Sequence, residues 1–66
     1  MQIRLNGQPR TFEPGTTLAA LLQIEQLGAR RVAIELNGAI VPRGEHDTRE
    51  LADGDHVEIV QALGGG

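Results

Sequence analysis

Two Asn-Gly dipeptides, Asn6-Gly7 and Asn37-Gly38, each stand between short runs of apolar and polar residues. Asn and Gly tolerate positive φ, and a two-residue turn of that kind matches the twist of an antiparallel strand pair. The dipeptides therefore place two tight hairpins in a chain of only 66 residues. Met1-Gln2-Ile3-Arg4-Leu5 has the period of a half-buried strand, with Met1, Ile3 and Leu5 on the inner face. Its return strand runs from about Gln8 to Phe12. Pro9 has no N–H to give a ladder, so this strand belongs at a sheet edge. Phe12, the only aromatic residue, is expected in the core. The second hairpin pairs Val32–Leu36, with Val32, Ile34 and Leu36 inward, with the short run Ala39-Ile40-Val41, which Pro42 ends. A last strand, His56–Val60, turns Val57 and Ile59 inward.

Between the hairpins the period changes. Pro14-Gly15 breaks the strand pattern, and Thr16 or Thr17 can cap a helix with its hydroxyl. Leu18, Leu21 and Leu22 then form one apolar stripe. Ile24 and Leu27 are expected to extend it, and Gly28 to stop the helix in the left-handed conformation. Arg43–Arg49 reads as a loop with a helical turn, Leu51 as a lone core plug, and Asp53-Gly54-Asp55 as a turn. A crossover containing a helix can join parallel strands. The economical packing is an α+β domain: a mixed sheet of four to five strands on one helix. This element order is that of the β-grasp, or ubiquitin-like, fold.

Composition narrows the function. A domain this short buries only about 60% of its unfolded surface, which leaves no room for an enclosed substrate cavity. The formal charge is -3, and Arg30-Arg31 is the only basic cluster. That argues against nucleic acid, which needs a phosphate-neutralising face. No apolar run approaches the roughly 20 residues of a membrane span, and no signal peptide is evident, so a cytoplasmic location is expected. Lys, Ser, Cys, Tyr and Trp are all absent. Covalent nucleophiles are thus reduced to Thr and carboxylates, which argues against an enzyme. His46-Asp47 and Asp55-His56 lack the spacing of a zinc site and have no Cys to support them. They read as surface or turn histidines, and no metal site is expected. Asp53 and Asp55 flank Gly54 and read as caps of backbone N–H groups.

What remains is the end of the chain, Val60-Gln61-Ala62-Leu63-Gly64-Gly65-Gly66. Three glycines cannot pack a core, and they have the most backbone entropy to lose. The expected division is a body over residues 1–62 and a flexible tail over 63–66. A tail without side chains can thread a narrow channel and present the Gly66 carboxylate at its tip. Val60, Ala62 and Leu63 fall on or beyond the outward side of the last strand. With Arg4 and Glu58 at its fringe, this region is expected to be a partner-docking surface.

The start Met1–Gly7, the segment Leu36-Asn37-Gly38-Ala39-Ile40-Val41-Pro42-Arg43, the run Asp53–Val60 and the glycine end together resemble the bacterial sulfur carriers of thiamine biosynthesis. The likeness covers the whole chain; Gly64 stands where some members have another small or apolar residue. The resemblance implies that an E1-like adenylating partner uses ATP and Mg²⁺ to convert the Gly66 carboxylate to an acyl-adenylate. Sulfur from a cysteine desulfurase or rhodanese-type protein then leaves a thiocarboxylate, which thiazole synthase consumes. It further implies that Leu63, Gly64, Gly65 and Gly66 thread the partner's active site. Arg4, Glu58, Val60 and Ala62 would bind the partner's surface, and the carrier itself would hold no cofactor. Three other readings stay open: a molybdopterin-type sulfur carrier, a ubiquitin-like modifier, and a plain β-grasp interaction module.

Overall fold

A computed structural model describes residues 1–61. Five strands form one sheet in the order β2-β1-β5-β3-β4: β1 Gln2–Leu5, β2 Gln8–Thr11, β3 Val32–Leu36, β4 Ala39–Val41 and β5 His56–Gln61. One helix, α1 Leu18–Ile24, packs on its inner face, and a single 3-10 turn spans Arg43–Glu45. This is the β-grasp arrangement. The crossover through α1 connects β2 to β3, which point the same way but lie on opposite sides of β1 and β5. The parallel neighbours are β1 and β5, with Arg4 opposite His56 and Leu5 opposite Val57. The other neighbours are antiparallel. Pro9 lies on the edge strand β2, as its missing donor requires.

Alternation is kept on the three central strands, β1, β5 and β3. Ile3, Leu5, Ile34, Leu36, Val41 and Val57 are buried against Leu18, Leu21 and Leu22 of α1, with Phe12 and Leu51 closing the ends. Each buried aliphatic side chain stabilises by roughly 1.5–3 kcal/mol relative to exposure. The start of α1 leaves no backbone donor idle. Thr17, not Thr16, is the N-cap, and its hydroxyl accepts from Ala20 N–H at 3.1 Å. Leu18 N–H and Ala19 N–H donate to the carbonyls of Arg49 and His46, each at 2.9 Å. The loop before β5 thus docks on the helix N-terminus and carries Leu51 into the core.

The end of α1 departs from expectation. The helix stops at Ile24, and Gln26, not Gly28, takes the left-handed conformation at φ 63°. Leu27 N–H reaches Leu22 C=O at 2.7 Å and Gln26 N–H reaches Gln23 C=O at 3.0 Å. This pair of bonds is the Schellman motif, and it returns Leu27 to the core beside Leu22. Gly28 instead allows a close approach, because a Cβ there would lie 2.5 Å from the Gln23 side chain. Ile24 is exposed, contrary to its expected place on the stripe. At 100° per residue it lies roughly 120° around the helix from the centre of Leu18, Leu21 and Leu22. Among the described residues no helix is long and apolar enough to cross a membrane.

Candidate functional site

The central strand β5 is the last described element, and it ends at Gln61. Its antiparallel register with β3 runs from Leu36–Val57 through Ile34–Ile59 to Val32–Gln61, the last described residue. On its other side β1 ends at Leu5, opposite Val57, because the Asn6-Gly7 turn carries the chain away. The Asn6 side chain takes over there, and its Oδ1 accepts from Ile59 N–H at 2.8 Å. Both dipeptides have positive φ at both residues, the signature of type I′ turns: 49° and 83° at Asn6-Gly7, 52° and 88° at Asn37-Gly38.

The second Asn also serves β5. Asn37 Oδ1 accepts from His56 N–H at 2.9 Å, and Asn37 Nδ2 donates to Asp55 Oδ1 at 3.0 Å. Asp55 is buried, and its Oδ2 accepts from Ala52 N–H at 2.8 Å. Asp53 Oδ1 accepts from Gln2 N–H at 2.7 Å. Both aspartates therefore cap backbone donors around the Gly54 turn, as their flanking positions imply. One asparagine thus holds the start of β5 and the other its middle. Both read locally as turn residues, and their second role depends on pairing across the sheet; the local signal is only a short polar side chain directly after a strand end.

The outer face of the sheet carries the expected docking residues. Arg4, Glu58 and Val60 are all exposed there. Val60 keeps 56% of its surface, and Ile40, which the sequence reading did not single out, keeps 62%. Val60 lies opposite Ala33, Glu58 opposite Glu35, and Glu35 opposite Ile40. The three antiparallel strands therefore bring Ile40, Glu35, Glu58, Ala33 and Val60 onto one surface. Arg4 donates to Gly7 C=O at 3.1 Å, which ties its guanidinium to its own hairpin. Ala62, Leu63, Gly64, Gly65 and Gly66 lie outside the described residues, so the tail-threading residues and part of the docking surface fall beyond them.

The two histidines separate. His56 is exposed on the outer face. His46, expected at the surface, is buried, with its Nε2 3.1 Å from Val41 C=O. Its backbone carbonyl holds Ala19 N–H, so it is a packed link between the loop and α1. Among the described residues no three His, Cys, Asp or Glu side chains are grouped to hold a metal ion. The described ion pair, Arg10 with Glu25, fastens β2 to the end of α1 through bonds of 3.0 and 2.6 Å. The hydrogen bond to Glu25, then its charge, raises the Arg10 pKa, against a small opposing effect of desolvation. The Arg10 guanidinium also lies 5.4 Å from the centre of the Phe12 ring. This cluster is on the edge opposite β4 and holds the fold.

Comparison with known proteins covers the glycine-rich end as well as the described residues. The model of the ThiS family matches residues 3–66. A thiazole synthase of Magnetococcus marinus is 42% identical over the whole chain, which spans about a fifth (20%) of that protein's length. The sulfur carrier protein ThiS of Escherichia coli is 37% identical, with both chains covered in full. The crystal structure of a thiamine biosynthesis protein (ThiS) from Geobacter metallireducens superimposes with a TM-score of 0.86 at 33% identity, again over both whole chains.

Proposed function

The chain belongs to the ThiS family, and from that premise we propose that it is a sulfur carrier protein of thiamine biosynthesis whose reactive group is the Gly66 carboxylate. The observation that carries the reading is the extent of the family match, which runs through the glycines to residue 66. The course of β5 supports it, since the strand passes through the middle of the sheet and delivers the chain at Gln61 toward those glycines.

A carboxylate oxygen is a poor leaving group. A partner adenylating enzyme, with ATP and Mg²⁺, converts the Gly66 carboxylate to an acyl-adenylate and releases pyrophosphate. A persulfide sulfur from a cysteine desulfurase or rhodanese-type protein attacks the acyl carbon, and AMP departs. Cleavage of the sulfur–sulfur bond by a thiol leaves a thiocarboxylate. Thiazole synthase then takes the sulfur and returns Gly66 as a carboxylate. Two thiazole synthase relatives carry the matched segment within their own polypeptide, which supports this acceptor over a molybdopterin pathway. The protein acts as a recycled co-substrate in the cytoplasm and not as an enzyme. Leu63–Gly66 thread the partner's channel while Arg4, Glu58, Val60 and Ala62 rest on its surface.

The test is to incubate the full chain with its adenylating enzyme, Mg²⁺-ATP and a persulfide source, and then to measure its intact mass. The expected change is one oxygen replaced by sulfur, localised to Gly66 by fragmentation. No change with a competent partner, or a change elsewhere, refutes the reading.

A further inference from the structure

On the outer face, Glu35 of β3 and Glu58 of β5 are directly opposite each other. Side chains so placed have Cβ atoms about 4.5–5.5 Å apart, and like charges there oppose folding. Each strand could have carried a neutral residue at no cost to the core, since both positions face away from it. Neither carboxylate is neutralised within the described residues, where the ion pair is Arg10 with Glu25 on another edge. Arg4, the arginine on the same face, has its guanidinium on the Gly7 carbonyl. The pair also lines a concavity, with Asn37, Gly38 and His56 as its other walls. Ile40 adjoins Glu35 across the strands, and Val60 follows Glu58 on the same face; both are more than half exposed.

From this arrangement the geometry points to a specific partner chemistry: the adenylating enzyme seats an arginine or lysine side chain between Glu35 and Glu58, and its apolar side chains cover Ile40 and Val60. The inference rests on the carrier reading and names what the carrier's docking face recognises. Two acceptor groups side by side suit the planar fork of a guanidinium, which bonds carboxylates through parallel N–H groups. Flanking apolar residues exclude water from such a pair when the partner docks, which is the arrangement of an interface anchor and its rim. A cation seated between the two carboxylates is attracted to both, which outweighs the repulsion that remains between them, so the gain appears only in the complex. Charge complementarity of this kind also orients and speeds encounter.

The experiment measures binding of the full chain to its adenylating enzyme by calorimetry at several salt concentrations. Wild type is compared with Glu35→Gln, Glu58→Gln, the double variant and Glu13→Gln, an exposed carboxylate before α1 that controls for net charge. Sulfur transfer is followed by intact mass in parallel. Each single change at the pair is expected to weaken binding about three- to five-fold and the double about ten-fold. The double should also flatten the salt dependence, while melting temperatures stay level or rise and Glu13→Gln binds as wild type. Unchanged affinity in the double variant, with wild type still gaining sulfur, overturns the inference and leaves the carrier reading standing. Loss of affinity that tracks a lowered melting temperature, or that Glu13→Gln shares, also overturns it. A wild type that gains no sulfur defeats the carrier reading, and the inference falls with it.

Discussion

Replacing Asn37 separates the two tasks that one residue performs at the start of β5. The residue sits at φ 52° and makes two side-chain bonds, to Asp55 Oδ1 at 3.0 Å and from His56 N–H at 2.9 Å. Asn37→Gly keeps the backbone conformation and removes both bonds. Asp55 is 9% exposed, so its abandoned oxygen has little water to turn to. Losing a hydrogen bond to a charged group costs about 1.5–3 kcal/mol. The His56 N–H bond is exposed and water can replace it, so it adds only about 0.5 kcal/mol. Asn37→Gly should therefore lose about 2–3.5 kcal/mol. Asn37→Ala loses the same bonds and adds the left-handed penalty of a β-carbon, about 1 kcal/mol or more. For a domain of this size each kcal/mol lowers the melting temperature by roughly 4–8 °C. Urea unfolding, with m-values compared to confirm that the same surface is exposed, measures both variants. A Gly variant within about 0.5 kcal/mol of wild type would remove the Asn37–Asp55 bond from the account. Equal losses for Gly and Ala would remove the backbone argument.

Four further variants have expected outcomes. Gln26→Gly should stabilise the domain by about 0.5–1 kcal/mol, because Gln26 holds the left-handed position of the Schellman motif and Gly occupies it without strain; a lower denaturation midpoint would contradict this. Val60→Asp should weaken binding to the adenylating enzyme by roughly 1–2 kcal/mol while the melting temperature changes by less than about 4 °C, since Val60 is exposed and outside the core. Calorimetry and thermal melts read the two effects separately. Deleting Gly66 should abolish thiocarboxylate formation by mass spectrometry. Gly65→Ala should slow it by an order of magnitude or more, since small misplacements of reacting groups cost about 100-fold. In both tail variants the melting temperature should remain that of wild type.

Much of this protein was determined by local sequence. The two Asn-Gly turns, the inward sets Ile3 and Leu5, Ile34 and Leu36, and the Leu18, Leu21 and Leu22 stripe each depend on neighbours within a few residues. Periodicity and turn chemistry therefore report them directly. The exposed Val60 and Glu58 were legible for the same reason: once Val57 faces inward, alternation puts them on the other side. Tertiary structure decided what depends on distant partners. His46 is buried because the loop that bears it folds onto the first turn of α1, a contact that no local period encodes. Gln26 takes positive φ because Leu27 must return to the core beside Leu22, which stops the helix before Gly28. Asn6 and Asn37 bond β5 across separations of 53 and 19 residues. Glu35 and Glu58 become a pair only through the register of β3 on β5. Each strand alone shows an ordinary polar residue facing water, and the charge conflict exists only when the strands meet.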